Sequence, residues 1–149
     1  MIDRRESLLV SACLLGEACK YNGGDNRLPD ETLAALEVRY RLVAVCPERD
    51  GGLPTPRLPS ERRGSGVFNR AGEDVTAQFR RGAELALETA KAEGCRIALL
   101  KERSPSCGAG RIYDGSFTGT LIPGNGLTAE LLQKNGLAVL GETEAEKLL

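Results

Sequence analysis

Four short apolar runs, separated by segments of helical pattern, constrain the fold of this chain most. The runs lie at residues 8–10, 42–45, 97–100 and 137–140. Each run is continuous rather than alternating, which is typical of a strand buried on both faces of a parallel sheet. Strands that alternate with helices predict an α/β protein, with helices on both faces of that sheet. We therefore expect a single domain over residues 1–149, with a Rossmann-like three-layer fold and a mostly parallel sheet of about four strands.

Capping signals place the helices between these runs. The first helix is predicted from residue 30 to about 40, and the second from 75 to about 93, with Asp74 as its N-cap and Gly94 after its end. Thr128 is predicted to cap a short helix through residue 134. Thr143 and Glu146 have the spacing of a capping box, which predicts a C-terminal helix.

Three cysteines follow the ends of three predicted strands. Cys13, Cys46 and Cys107 each lie shortly after an apolar run and beside turn residues. Ligands of open α/β sheets bind beyond the carboxyl ends of the strands, so we expect these strand-end thiols to converge. Cys95, which precedes the third run, is predicted to be a core residue. Cys19 lies close enough to Cys13 to reach the same site, and its role stays open.

Composition excludes several classes of protein. The chain has no histidine, which removes the usual general base and the usual nitrogen ligand of zinc. A formal net charge of -1 does not suit a protein that binds duplex nucleic acid. No apolar stretch is long enough to span a membrane, and the first residues lack a signal-peptide core. These features predict a cytoplasmic protein, in which metal binding or catalysis by cysteine is more common than a disulfide.

Two kinds of metal site are compatible with three thiols. A structural zinc site would need a fourth Cys or His ligand, and the chain has no CxxC pair to supply the usual half-site. An iron–sulfur cluster on three thiolates would leave one iron open to a small ligand. The residues alone favour the cluster without excluding other metal sites.

In two polar segments, the apolar residues show neither the period of a helix nor that of a strand. Residues 48–66 contain Pro, Gly and charged residues, which indicates either a functional flap or a flexible spacer. Within it, Arg57 is a candidate for binding a carbonyl or phosphate group, or is a solvated loop residue. Gly51 and Gly52 are candidates for a close approach of the backbone to a cofactor or substrate. Residues 108–126 are predicted to form a loop or short hairpin.

Longer motifs resemble a known family. The motifs SACLLG with KYNGG, then VCPE, GGLPTPR, DVTAQFRRGAE, LKERSPSCG and DGSFTG together resemble the DUF523 family, which includes the thiouracil desulfidases. The resemblance implies a [4Fe-4S] cluster on Cys13, Cys46 and Cys107, whose fourth iron takes the sulfur of the substrate as hydrosulfide without net redox change. It also implies that Glu48 and Ser104 are the catalytic carboxylate and serine. The sequence departs from the family pattern at none of these five positions.

The expected function follows from this resemblance. The protein would be a hydrolase or lyase that converts a small thiolated pyrimidine, such as 2- or 4-thiouracil or its nucleoside or nucleotide, to the uracil-type product. Glu48 would activate water, and Ser104 would orient water or the ring. Arg57, Ser104, Gly51 and Gly52 are the expected substrate-binding residues. The alternatives are another chemistry at the open iron, such as sulfur transfer or a dehydratase-like reaction, and a cluster-based sensor without enzymatic activity.

Overall fold

The computed structural model describes residues 3–149, which form eight strands and four α-helices. The strands are β1 (Glu6–Ser11), β2 (Tyr40–Val45), β3 (Ser60–Arg63), β4 (Gly66–Asn69), β5 (Ile97–Leu100), β6 (Arg111–Tyr113), β7 (Leu121–Pro123) and β8 (Ala138–Gly141). The α-helices are α1 (Asp30–Arg39), α2 (Pro47–Asp50), α3 (Thr76–Ala92) and α4 (Leu127–Lys134). Two 3₁₀ helices, Ala12–Leu15 and Glu142–Leu148, follow β1 and β8.

The central sheet has four strands in the order β2-β1-β5-β8, and every neighbouring pair is parallel. Each of the four predicted apolar runs forms one of these strands. The predicted α/β fold with a parallel four-stranded sheet is therefore confirmed. The chain runs from β1 to β2 on one side and then continues at β5 on the other side, so β1 lies next to the topological switch point.

Helices cover both faces of the sheet. On one face, α1 and the C-terminal 3₁₀ helix pack on Leu8, Val10 and Leu99. On the other face, α3 and α4 pack on the strand residues that alternate with those of the first face, among them Leu9 and Leu100. Successive side chains of a strand point to opposite faces, so a continuous apolar run is needed when both faces are covered.

The two longer helices lie close to their predicted bounds. Helix α3 presents its predicted apolar stripe to the core, and Gly94 follows it with a φ of 67°. The Asp74 carboxylate accepts a hydrogen bond from the Thr76 N–H at 2.9 Å, so it caps the helix from the residue before the assigned N-cap, Val75. Helix α1 buries Leu33 and Leu36 as predicted.

The two other capping predictions are wrong. Gly126 is the N-cap of α4, and Thr128 lies inside the helix, fully buried. The N–H of Thr128 already has an acceptor in the Ser106 carbonyl, so no side-chain cap is needed there. At the last helix, the hydroxyl of Thr143 donates to Glu102 instead of capping.

The two polar segments form antiparallel hairpins. Strands β3 and β4 pair within the segment 48–66 and beyond it, with Gly64 at a φ of 57° in the turn. Strands β6 and β7 pair in the second segment, which confirms the short hairpin. None of the helices in residues 3–149 combines the length and apolar character needed to cross a membrane.

Candidate active site

A cavity of about 450 Å³ opens at the carboxyl edge of the central sheet, and the three strand-end thiols all line it. Cys13 follows β1, Cys46 follows β2, and Cys107 lies in the loop after β5. In the register of the sheet, Ser11 lies opposite Val45, so β1 and β2 end level with each other. The predicted convergence of the strand-end thiols on one site is thus present in the structure.

Local hydrogen bonds hold each thiol-bearing loop in place. The Cys13 carbonyl accepts from the Asn26 N–H at 2.9 Å, which ties the loop after β1 back to its start. The Cys46 N–H donates to Asp50 Oδ2 at 3.1 Å, because Pro47 turns the chain into α2 directly after the strand. The Cys107 N–H donates to Ser104 Oγ at 3.1 Å.

Burial disfavours the charged form of two of these thiols, Cys107 and Cys13. It raises the pKa of Cys107 to about 12, against the opposing effect of hydrogen bonds from the Ser106 and Ser11 hydroxyls. Burial also raises the pKa of Cys13. A coordinating metal deprotonates a thiol outright, so a metal group placed in this cavity would turn neutral thiols into ligands and release protons.

The chemistry of the donors fits an iron–sulfur cluster. Cys13, Cys46 and Cys107 line one cavity of about 450 Å³, and thiolates are the usual ligands of such clusters. The chain has no histidine to complete a zinc site. Within the described part of the chain, no group of three His, Cys, Asp or Glu side chains is arranged as a site for a metal ion.

Glu48 lies on the same cavity and is held by its neighbours. Arg57 Nε is 3.1 Å from Glu48 Oε1, and Ser106 Oγ is 3.4 Å from Glu48 Oε2. Helix α2, which carries Glu48, packs tightly on α3. A Cβ atom on Gly82 would come within 1.9 Å of the Pro47 carbonyl oxygen, so glycine is needed at this contact. Glu48 is therefore a positioned cavity carboxylate, not a solvated loop residue.

Arg57 is a structural partner of Glu48. Its side chain is only 7 % exposed. Its other guanidinium nitrogens donate to the Cys19 carbonyl at 2.9 Å, the Pro54 carbonyl at 3.2 Å and the Thr55 hydroxyl at 3.1 Å. All three nitrogens of the guanidinium are engaged, so Arg57 anchors Glu48, and it also lines the cavity. Its role in substrate binding stays a prediction.

The two glycines predicted at the site follow Glu48 and are not among the lining residues of the cavity. A Cβ atom on Gly51 would come within 2.1 Å of the Gln78 carbonyl oxygen, so α2 and α3 approach closely here. Gly51 therefore allows the packing that places Glu48, and Gly52 has a φ of 106° in the turn that follows. Substrate binding by these two glycines stays a prediction.

The remaining cysteines differ from each other. Cys95 packs in the core under α3, as predicted, and is not a lining residue of the cavity. Cys19 is 2 % exposed and lines the cavity beside Cys46, whose Sγ is 3.9 Å from the Cys19 carbonyl oxygen. Burial and the neighbouring Cys46 raise the pKa of Cys19 to about 12.

Several lining residues were not predicted from the sequence. Ser106 is 1 % exposed, Asn26 lies in the loop before α1, Glu61 lies in β3 and Tyr113 lies in β6. These residues lie in segments of the sequence without a clear period, so only their proximity to a motif could have indicated them. For Ser106 that signal was its place between Ser104 and Cys107.

A protein-family profile described as 2-thiouracil desulfurase matches residues 8–144. The chain belongs to the 2-thiouracil desulfurase family. An uncharacterized protein of Bacillus subtilis (strain 168), YbbK, is 41 % identical over 152 residues, covering 95 % of this chain and 99 % of that protein. A solved structure described as the [4Fe-4S]-dependent thiouracil desulfidase TudS (DUF523Vcz) is 50 % identical, with a TM-score of 0.92, over 97 % of this chain and 95 % of that chain. The resemblance to DUF523 is thus confirmed, and the chain is an enzyme of the thiouracil desulfurase kind.

Proposed function

We propose that this protein removes sulfur from a thiolated pyrimidine by a non-redox reaction at a [4Fe-4S] cluster with one open iron. The substrate would be 2- or 4-thiouracil or a nucleoside or nucleotide of it. The products are the uracil-type pyrimidine and hydrosulfide. The observation that carries this proposal is that three strand-end thiols and an anchored carboxylate, Glu48, line one cavity.

The strand-end thiols Cys13, Cys46 and Cys107 would hold the cluster. Soft thiolate ligands suit iron–sulfur centres, and a solved relative at 50 % identity is described as [4Fe-4S]-dependent. When bound, the cluster supplies a Lewis acid for the sulfur that leaves the pyrimidine. This family chemistry favours catalysis over a sensor role.

Glu48 is the proposed general base. The reaction replaces C=S by C=O, so it consumes one water, breaks the carbon–sulfur bonds and releases HS⁻ and a proton. Arg57 holds Oε1 of Glu48, which leaves a lone pair on each oxygen for a water in the cavity. Ser104 Oγ already accepts from the N–H groups of Ser106 and Cys107, so its proposed role in the reaction is to order the loop that carries these two residues.

Charged and aromatic side chains that line the cavity suit particular classes of substrate. Lys20 and Arg103 line it, and so do Tyr21 and Tyr113. Aromatic faces stack on pyrimidine rings, and cations attract phosphate. We therefore include nucleotides among the proposed substrates. The proposal also takes residues 1–149 as one domain in the cytoplasm, a reducing compartment that keeps cluster ligands as thiols.

The test is an anaerobic assay of the cluster-loaded protein with 2-thiouracil, 4-thiouracil and their nucleosides and nucleoside monophosphates. Product and sulfide should form in equal amounts, without an added reductant. In ¹⁸O-labelled water the product should gain one ¹⁸O atom. A fully loaded protein that leaves every thiopyrimidine unchanged would favour the sensor instead. A requirement for a stoichiometric reductant would contradict the non-redox reaction.

A further inference from the structure

The hydroxyl of Ser106 has a defined place in the hydrogen bonds of the site. Ser104 Oγ accepts the N–H groups of Ser106 and Cys107, each at 3.1 Å. These two bonds use both lone pairs of the Ser104 hydroxyl, which leaves only its proton to donate. Ser106 Oγ is 3.0 Å away, so Ser104 donates to Ser106.

This direction leaves the proton of Ser106 free for two other acceptors. Ser106 Oγ lies 3.4 Å from Glu48 Oε2 and 3.5 Å from Cys107 Sγ. One hydroxyl has one proton, so these two groups share it. Ser106 is therefore the side chain that joins the proposed base to a proposed cluster ligand, whereas Ser104 reaches Glu48 only through Ser106.

The backbone fixes Ser106 independently of its hydroxyl. Its carbonyl accepts the N–H groups of Thr128 and Ala129, at 2.8 and 3.1 Å, at the start of α4. A Cβ atom on Gly126 would come within 2.5 Å of that carbonyl oxygen, so only glycine allows this approach. The Ser106 residue is 1 % exposed. Removal of the hydroxyl should thus leave the loop and α4 in place.

We propose that Ser106 is a positioning residue for the desulfidation, which sets the Glu48 carboxylate relative to Cys107. This inference rests on the proposed function. Arg57 holds one carboxylate oxygen and Ser106 holds the other, so together they fix the plane of the carboxylate. The same hydroxyl donates to the Cys107 sulfur, and hydrogen bonds to cluster sulfurs raise the reduction potential.

The first measurement is kinetic. Ser106→Ala should keep the iron content of the wild type, and its kcat should fall about 10- to 100-fold, the usual worth of a hydrogen bond to a charged group. KM should change much less, because Ser106 acts through Glu48. In a Glu48→Gln background, the same substitution should change kcat by no more than about twofold. Equal losses in both backgrounds would overturn the proposal, because Ser106 would then act independently of Glu48.

The second measurement does not depend on turnover. The midpoint potential of the cluster should be more negative in Ser106→Ala than in the wild type, and Ser106→Thr, which keeps a hydroxyl, should restore it. The control is Thr128→Val, which removes a buried hydroxyl that has no hydrogen-bond partner within residues 3–149. It should leave kcat and the potential unchanged.

The outcomes separate this inference from the proposed function. If the loaded wild type has no desulfidase activity, the proposed function fails, and the potential alone then decides on Ser106. An unchanged potential in Ser106→Ala overturns the proposed contact with Cys107. Loss of the cluster to the level of Cys107→Ser would overturn the positioning role, because Ser106 would then be needed to build the site.

Discussion

Arg57→Met tests the anchoring of Glu48 most sharply. The substitution keeps a long side chain and removes the guanidinium. Glu48 Oε1 then loses its ion-pair partner at 3.1 Å, and the Cys19 and Pro54 carbonyls lose charged donors at 2.9 and 3.2 Å. Three segments of the cavity wall are joined through this one side chain, so its loss should affect both stability and the site.

The size of the effect follows from burial. The side chains of Arg57 and Glu48 are 7 % and 18 % exposed. Removal of one partner from a buried ion pair costs about 3–5 kcal/mol, since an unpaired charge stays buried. Some water reaches Glu48, so we expect the lower end, about 3 kcal/mol. For a domain of this size, that loss lowers Tm by about 6–12 °C.

The assay is anaerobic thermal unfolding of the cluster-loaded protein, followed by circular dichroism. The control is Lys147→Met, which removes an exposed ion pair with Glu144, 2.8 Å apart. Exposed pairs contribute about 0–1 kcal/mol, so its Tm should stay near that of the wild type. The double variant Arg57→Met/Glu48→Gln should be more stable than Arg57→Met, because no buried charge remains. Equal Tm values for Arg57→Met and Lys147→Met would refute the assigned role of this pair.

Three further predictions have defined outcomes. Replacement of any strand-end thiol by Ser should abolish cluster retention, because oxygen is a poor substitute for thiolate, whereas Cys95→Ala should keep the cluster. The measurement is the iron and labile-sulfide content, and a cluster that requires Cys95 would contradict the proposed site. Glu48→Gln should keep the cluster and substrate affinity while turnover falls about 10²–10⁴-fold, and full turnover would show that another group is the base. Thr128→Val removes a buried hydroxyl that has no hydrogen-bond partner in the described structure, so turnover should stay unchanged. Its free energy of unfolding, measured with denaturant, should equal that of the wild type or exceed it by about 1 kcal/mol. A clear loss of stability would show that the hydroxyl is hydrogen-bonded.

The sequence predicted the parts of the fold that depend on apolar pattern. The four continuous runs became the four central strands, and the stripe that includes Phe79 and Ala83 became the buried face of α3. Burial of apolar surface decides where such segments lie, and the pattern records it directly. The shared edge of Cys13, Cys46 and Cys107 followed from the same reasoning, because parallel strands end together.

The sequence failed where polar contacts decide the structure. The β3–β4 hairpin has one fully buried side chain, Val67, so no period marks it. Thr128 has the residue type of an N-cap, but the Ser106 carbonyl already accepts its N–H. A glycine at position 51 indicates that another segment approaches the backbone closely, but the sequence does not show that this segment is α3. Arg57 and Ser106 acquire their roles only from contacts with residues distant in the chain.

The most direct test of the central claim relates turnover to cluster content in the same preparations. The protein would be reconstituted anaerobically to graded levels, with a full complement of about four irons and four labile sulfides per chain. Uracil formation from a thiouracil should rise in proportion to that content and extrapolate to zero for the cluster-free protein. Undiminished turnover without the cluster would contradict the claim that the strand-end thiols act by holding it.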